Sequence, residues 1–339
     1  MEILENYSLK EHNTFGIDAK CNYYVSIRNE DEIVELVNSD IFKNNKIFIL
    51  GGGSNILFAD DFKGLVIDVN IRGIKIIDSE DDFVIIEAGA GEYWDDFVTL
   101  CLNNKFYGLE NLTLIPGKVG AAPVQNIGAY GVEQKDYFHS LSGYNLETNK
   151  FDSLDYEECK FSYRDSVFKY ELKNKFIITQ VRYKLNKKEK LNLSYKELSN
   201  EITKFNIEKP GAKLVYDTVR RLRTSKLPDY RLFGNAGSFF KNPIITIDKF
   251  KSLKEKFPEI KSFNIADDKV KVPAGWLIEQ CGWKGKREGN CGVSDKHALI
   301  LVNYGNATGN DILELSMKIN NSVKDKFDIE LEKEVLIIK

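Results

Sequence analysis

A single hydroxyl stands at the centre of Gly234-Asn235-Ala236-Gly237-Ser238-Phe239-Phe240-Lys241-Asn242-Pro243, between glycines, two aromatics, a lysine and an amide. Glycines 234 and 237 admit backbone angles and close approaches that other residues resist, and Phe239 with Phe240 can keep water from whatever Ser238 touches. A dry, positioned hydroxyl can give or take a proton. The same ten residues also read as a glycine turn entering a buried aromatic strand. Arg164, in Phe161-Ser162-Tyr163-Arg164-Asp165-Ser166, sets a guanidinium among aromatics. Buried, it is a fixed fork for a carboxylate or a developing oxyanion; exposed, it is one half of a surface ion pair. Arg223 and Lys226 close a helical pattern before Pro228, which suits the helix dipole or a bound anion. Tyr195 lies in a lysine-rich connection and reads locally as an exposed loop aromatic.

Two glycine-rich stretches could hold a ligand. Gly51-Gly52-Gly53-Ser54-Asn55 follows a strand-like run and could offer backbone N–H groups to a pyrophosphate, although a tight turn explains it as well. Leu114 to Gly131 has two prolines, four glycines and few charges, so it is neither an ordinary helix nor a solvated loop. Loops this long inside compact domains are usually functional or disordered, and the low charge disfavours disorder. Together the two stretches describe a cover for a pyrophosphate and for a flat ring system, as in a flavin dinucleotide.

The surrounding elements are mixed. Strand patterns run through Lys46–Leu50, Leu65–Val69, Phe83–Glu87, Phe176–Leu185 and Ala298–Val302, and the alternation from Ile329 predicts a strand to Ile338. Helical spacing appears in 95–102, 213–223, 247–257 and 274–281, and from about Gly309 through Ile312, Leu315, Ile319, Val323 and Phe327. The last alternation puts Glu330, Glu332 and Glu334 on one face, which by periodicity alone is a solvated face. A boundary is expected near 226–230, followed by a smaller α+β domain.

With 339 residues and 42% hydrophobic content the chain has material for two or three globular domains. A net charge of −3 argues against nonspecific nucleic-acid binding as its main task. No apolar run approaches the ~20 residues that span a bilayer, and the first residues lack a secretory pattern, so a cytoplasmic location without membrane attachment is expected. Five widely spaced cysteines and three histidines disfavour a structural zinc site or a disulfide framework, and no metal is expected.

Several blocks occur in order: Asn13-Thr14-Phe15-Gly16, Gly51 to Asn55, Ile115-Pro116-Gly117, Gln125-Asn126-Ile127-Gly128-Ala129-Tyr130-Gly131, Tyr163 to Ser166, Arg223 to Pro228, Gly234 to Pro243, and Leu331-Glu332-Lys333-Glu334-Val335. In this order they resemble the UDP-N-acetylenolpyruvoylglucosamine reductases (MurB), of the longer type with a tyrosine loop. The resemblance implies an α+β architecture: a two-subdomain FAD-binding fold of the p-cresol methylhydroxylase (vanillyl-alcohol oxidase) type plus a smaller C-terminal α+β substrate domain. The expected divisions are 1–71, completed by 328–339, then 72–227 for the second FAD subdomain and 228–327 for substrate.

The resemblance also implies a reaction. NADPH reduces FAD at N5 and leaves, the enolpyruvyl sugar nucleotide occupies an overlapping site, and hydride reaches its C3 while C2 is protonated. Ser238 matches the proton donor. Arg164 and Glu334 match residues flanking the substrate carboxylate, where Arg164 can stabilise growing charge and Glu334 is expected to be protonated or to orient another donor. Tyr195, Lys226 and Asn242 match residues near the nucleotide or diphosphate, and Tyr130 faces either substrate or flavin. Gly51, Gly52, Gly53, Ser54, Asn55, Pro116, Gly117, Gln125, Asn126, Ile127, Gly128 and Arg223 match the FAD-lining motifs. Ala121 and Ala122 stand where some relatives carry serines, so a flavin hydrogen bond from a hydroxyl is absent there, and backbone N–H groups could serve instead. A monomer acting on small molecules is expected. The alternatives are an FAD oxidase of the same fold, although His12 lacks an H-x-x-C-like flavin attachment context, and a noncatalytic nucleotide-binding protein.

Overall fold

The β-branched runs become strands because each places a full row of apolar side chains against a common core. The computed structural model describes residues 1–339, which fold as two units: Met1–Tyr7, Cys21–Gly52 and Lys63–Arg223 form the larger, and Ser8–Lys20, Gly53–Phe62 and Thr224–Lys339 the smaller. No helix is long and apolar enough to cross a membrane.

In the larger unit a four-stranded sheet runs in the spatial order Ile3–Ser8, Lys20–Ile27, Phe62–Val69, Ile47–Leu50, its last pair parallel. A five-stranded antiparallel sheet has the order Lys150–Asp155, Phe138–Asn145, Phe176–Asn186, Phe83–Gly89, Ile74–Ser79. Side chains from both sheets enter one core with the helix Trp94–Asn103. Trp94, Phe97 and Tyr183 are buried there and in ring contact. The polar ends of two of them are satisfied: Trp94 Nε1 donates to the Leu112 carbonyl and Tyr183 Oη to Gln134 Oε1. Truncating such an aromatic typically costs about 3–5 kcal/mol.

One buried ion pair ties the sheet to the glycine-rich segment. Lys118 Nζ lies 2.5 Å from Asp68 Oδ1 and donates to the Val69 carbonyl at 3.1 Å, with both side chains under a tenth exposed. Asp68 Oδ2 accepts from Tyr24 Oη, whose phenol burial and the neighbouring carboxylate push well above its usual range. The strand Phe62–Val69 therefore holds the backbone that follows Gly117.

The smaller unit contains two three-stranded sheets and the helix Gly309–Phe327. Thr308 and Asp311 close that helix with a capping box, and its stripe buries Ile312, Leu315, Ile319, Val323 and Phe327. Two strands are shorter than their patterns predict. The ladder of the last strand is confined to Leu336–Ile338, parallel to Ile56–Phe58. Residues before it lie along the irregular Ser238 segment, which offers single bonds instead of a ladder. Likewise Leu301–Asn303 is the only ladder of the 298–302 run, because His297 to Ile300 is curled into a turn.

Gly234 is fixed by close backbone approach. An added Cβ would lie 2.1 Å from the Phe15 carbonyl oxygen. Gly234→Ala should lower stability by about 1–3 kcal/mol, read as a lower melting temperature. Lys118→Met strands a buried carboxylate and should cost about 3–5 kcal/mol in urea unfolding, whereas adding Asp68→Asn should recover part of that loss.

Candidate functional site

Ser238 sits in a segment held at many points by the backbone. The Asn235 N–H donates to the Thr14 carbonyl at 2.9 Å, the Asn303 N–H to the Gly234 carbonyl at 2.8 Å, and the Phe239 N–H to the Leu299 carbonyl at 2.8 Å. Asn235 Oδ1 accepts the Gly237 N–H at 3.0 Å, which closes the turn before the serine. Phe239 and Phe240 are buried edge to face, with centroids 5.2 Å apart. Their burial fixes the chain while Ser238 itself stays half-exposed: the glycine turn leads into a buried aromatic segment joined to its neighbours by single bridges, not into a regular strand.

The same unit brings Glu334 and Asn55 to this segment. The Glu334 N–H donates to the Phe239 carbonyl at 2.8 Å, and its own carbonyl accepts from Asn55 Nδ2 at 3.1 Å. Glu330 and Glu332 are exposed and Glu334 is half-buried, so the three-glutamate face is only partly solvated. Lys241 pairs with Glu332 at 2.5 Å. Asn242 Oδ1 accepts the N–H of Ala274, at the start of the helix Ala274–Gln280, at 2.9 Å. Gly53 accepts the Thr14 N–H at 3.0 Å, and Ser54 follows it half-buried. Lys226 is half-buried and close enough to His297 to lower that imidazole's proton affinity.

In the larger unit Gly52 meets the glycine-rich segment backbone to backbone, and Gly51 meets the Ala121 methyl of the same segment. A Cβ on Gly52 would lie 2.5 Å from the Gly117 Cα, and one on Gly51 would lie 2.9 Å from the Ala121 Cβ. Two of the sequence-predicted cofactor loops thus pack closely, with nothing larger than the Ala121 methyl between them at these points. Pro116 is exposed beside them. Asn126 is fully buried, and its amide donates to Glu133 Oε2 and to the Ser162 carbonyl, both at 3.0 Å. That side chain serves the protein by tying the segment to the Arg164 turn. Ile127 is buried with it, and Gln125 is half-buried.

Arg164 occupies a left-handed backbone position, φ 56°, and its Nη2 donates to the Gly128 carbonyl at 2.7 Å. Tyr130, also left-handed, meets Tyr195 edge to face at 5.2 Å. Asn111, fully buried, donates to the carbonyls of Tyr130 and Asn192 and so docks the tyrosine loop on this turn. Burial pushes the Tyr130 phenol up to about 12, with Arg223 opposing, so it remains a hydrogen-bond donor. The Arg223 guanidinium is depressed by burial and by Arg164, and its Nε is buried without a partner. A buried cation with an orphaned donor, near a second guanidinium, fits an anionic ligand. Backbone-lined glycine loops fit the close approach of a dinucleotide.

Sequence reasoning missed Asn111, Asn303, Lys118 and His297. Asn303 carried a signal, a polar residue closing the apolar run Leu299-Ile300-Leu301-Val302, whereas Asn111 beside Glu110 carried none. Asn303 Nδ2 donates to the Phe15 carbonyl at 2.9 Å and its Oδ1 accepts two loop N–H groups.

The family described as UDP-N-acetylenolpyruvoylglucosamine reductase, C-terminal domain, matches residues 228–338, and a FAD binding domain family matches 21–146. A UDP-N-acetylenolpyruvoylglucosamine reductase of Flavobacterium johnsoniae is 50% identical over 100% of both chains. Relatives with the same description from Bacteroides fragilis, 44% identical over 98% of this chain and 99% of its own, and Chromobacterium violaceum, 41% over 100% and 99%, agree. The crystal structure of the MurB reductase from Thermus caldophilus shares the fold, with a TM-score of 0.68 and 24% identity over 100% of this chain and 98% of that one. The ordered motifs, the two units and these full-length likenesses converge: the chain belongs to the UDP-N-acetylenolpyruvoylglucosamine reductase family.

Proposed function

We propose that this chain is an FAD-containing UDP-N-acetylmuramate dehydrogenase, which uses NADPH to reduce UDP-N-acetylglucosamine enolpyruvate to UDP-N-acetylmuramate for peptidoglycan synthesis. The observation that carries the reading is the bond from the Glu334 N–H to the Phe239 carbonyl, because it sets a carboxyl-bearing residue against the peptide that follows Ser238. FAD, when bound, supplies the two-electron store that couples NADPH to the substrate double bond. Gly51, Gly52, Gly117 and Arg223 are its proposed holders in the larger unit.

The other roles follow from side-chain chemistry. Arg164 stabilises charge developing on the substrate carboxylate, and loss of one such donor typically costs about 10²–10³ in rate. Ser238 delivers the proton to C2. Glu334 orients the carboxylate end, in protonated form or through a second donor. Asn242 keeps its NH2 for an oxygen of the diphosphate, since its own oxygen is held by Ala274. Lys226 supplies the counter-charge and Tyr195 covers the nucleotide. NADPH and substrate share an overlapping site, the protein works as a cytoplasmic monomer, 228–327 forms the substrate domain, and 1–71 with 328–339 and 72–227 form the two FAD subdomains.

The purified protein should be yellow, bleach with anaerobic NADPH, and recover its colour with the enolpyruvyl sugar nucleotide; oxygen consumption without need for NADPH would point to an oxidase instead. Ser238→Ala should keep the NADPH half-reaction and slow reoxidation by substrate about 10²–10⁴-fold in a stopped-flow absorbance trace. Equal loss in both half-reactions would remove Ser238 from the proton-donor role. Tyr195→Ala should raise the substrate KM about tenfold, as expected for one aromatic contact, with the rate of flavin bleaching unchanged.

A further inference from the structure

The turn from His297 to Ile300 has no part in the roles assigned above, yet the proposed proton donor hangs from it. His297 Nδ1 accepts the Leu299 N–H at 3.2 Å, and the His297 carbonyl accepts the Ile300 N–H at 3.0 Å. The Leu299 carbonyl in turn accepts the Phe239 N–H at 2.8 Å, and Ser238 forms an isolated antiparallel bridge with Ile300. A chain of two hydrogen bonds therefore leads from the imidazole, through the Leu299 residue, to the peptide that follows Ser238. Leu299 and Ile300 are buried, so losing the ring nitrogen would leave the Leu299 N–H poorly satisfied. The ring also packs against the start of the helix Ala274–Gln280, since a Cβ on Gly275 would lie 3.6 Å from its Cε1. That helix start is the one held by Asn242.

We propose that His297 is a positioning residue for Ser238: its unprotonated Nδ1 fixes the Leu299 peptide and, through it, the direction of the serine hydroxyl. The inference rests on Ser238 being the proton donor. Because Nδ1 accepts, the ring proton resides on Nε2. The charged groups facing the ring are Lys226 from the helix Ala212–Lys226, Lys284 after the helix Ala274–Gln280, and Glu279 on that helix; Asp295 and Lys296 precede it in exposed positions. Burial and the two lysines hold the imidazole below its usual range, and Glu279 opposes them only in part. The acceptor is thus present at neutral pH. In acid a protonated Nδ1 would face the Leu299 N–H donor to donor, so the bond is lost as pH falls through this lowered value. The same proton binds the unfolded chain more readily, so stability falls with it below about pH 6.5.

The test uses the FAD-loaded enzyme, with both half-reactions followed by stopped flow between pH 5 and 8. His297→Leu should slow reoxidation by the enolpyruvyl sugar nucleotide about ten- to a hundredfold, the scale of a misplaced catalytic group, and leave reduction by NADPH unchanged. His297→Asn places an uncharged acceptor oxygen where Nδ1 stood. It should keep most of the wild-type rate at pH 7.5 and lose the acid limb that the wild-type reoxidation shows. Wild-type reoxidation by His297→Leu, an equal loss in the Leu and Asn variants, or an acid limb that survives in His297→Asn would each overturn the inference. If the Leu variant fails to retain FAD, the pH profile of the Asn variant decides. Failure of the wild-type protein to be reoxidised by this substrate would overturn the assignment of Ser238 first, and the role of His297 with it.

Discussion

The smaller unit depends on one constraint: a serine must be held firmly by a segment that belongs to no regular sheet. Ladders distribute such a task over many repeating bonds, but Gly234 to Pro243 contains two glycines and a proline and cannot sustain one. Its position comes instead from separate backbone bonds supplied by Thr14, Asn303, Leu299, Glu332 and Glu334. Each is worth roughly 1 kcal/mol net, and their value lies in direction more than in strength. The buried pair Phe239 and Phe240 adds the apolar weight that keeps the segment from moving as a whole.

The larger unit solves a different problem. Ligand loops need backbone close to the ligand, yet loops without ladders are soft. Here the glycine-rich segment is pinned at several points: Lys118 pairs with Asp68, the Asn126 amide donates to Glu133 and to the Ser162 carbonyl, and the Leu114 N–H donates to Asp95, which also pairs with Arg220. Buried polar contacts of this kind are weak evidence for stability and better evidence for a single defined loop path. Arg223 differs from these pinned groups: burial depresses its guanidinium and its buried Nε has no partner, which fits an anionic ligand.

Strands and helices were readable from the sequence wherever a period of 2 or 3.6 was sustained. The helix Gly309–Phe327 and the strand Phe176–Asn186 fall where their apolar positions place them. The pattern overreached at Ile329–Ile338 and Ala298–Val302, because periodicity reports which side chains are buried and not whether a neighbouring strand is there to pair. Ile329, Leu331 and Val335 are indeed buried, but the backbone beside them is the serine segment, with no ladder to offer.

The sequence by itself determined the family, the chemistry of the candidate groups and the apolar faces, because these follow from residue types in a fixed order. Only the tertiary structure decided what those groups touch. Asn55 and Glu334 meet although 279 positions separate them, Asn126 turns inward to the protein, and His297, unremarkable in Ser294-Asp295-Lys296-His297, reaches Ser238 through the Leu299 peptide. These are contacts between distant parts of the chain made largely through backbone N–H and C=O groups, which every residue carries alike. A sequence leaves such groups unmarked, and the fold alone selects which of them meet.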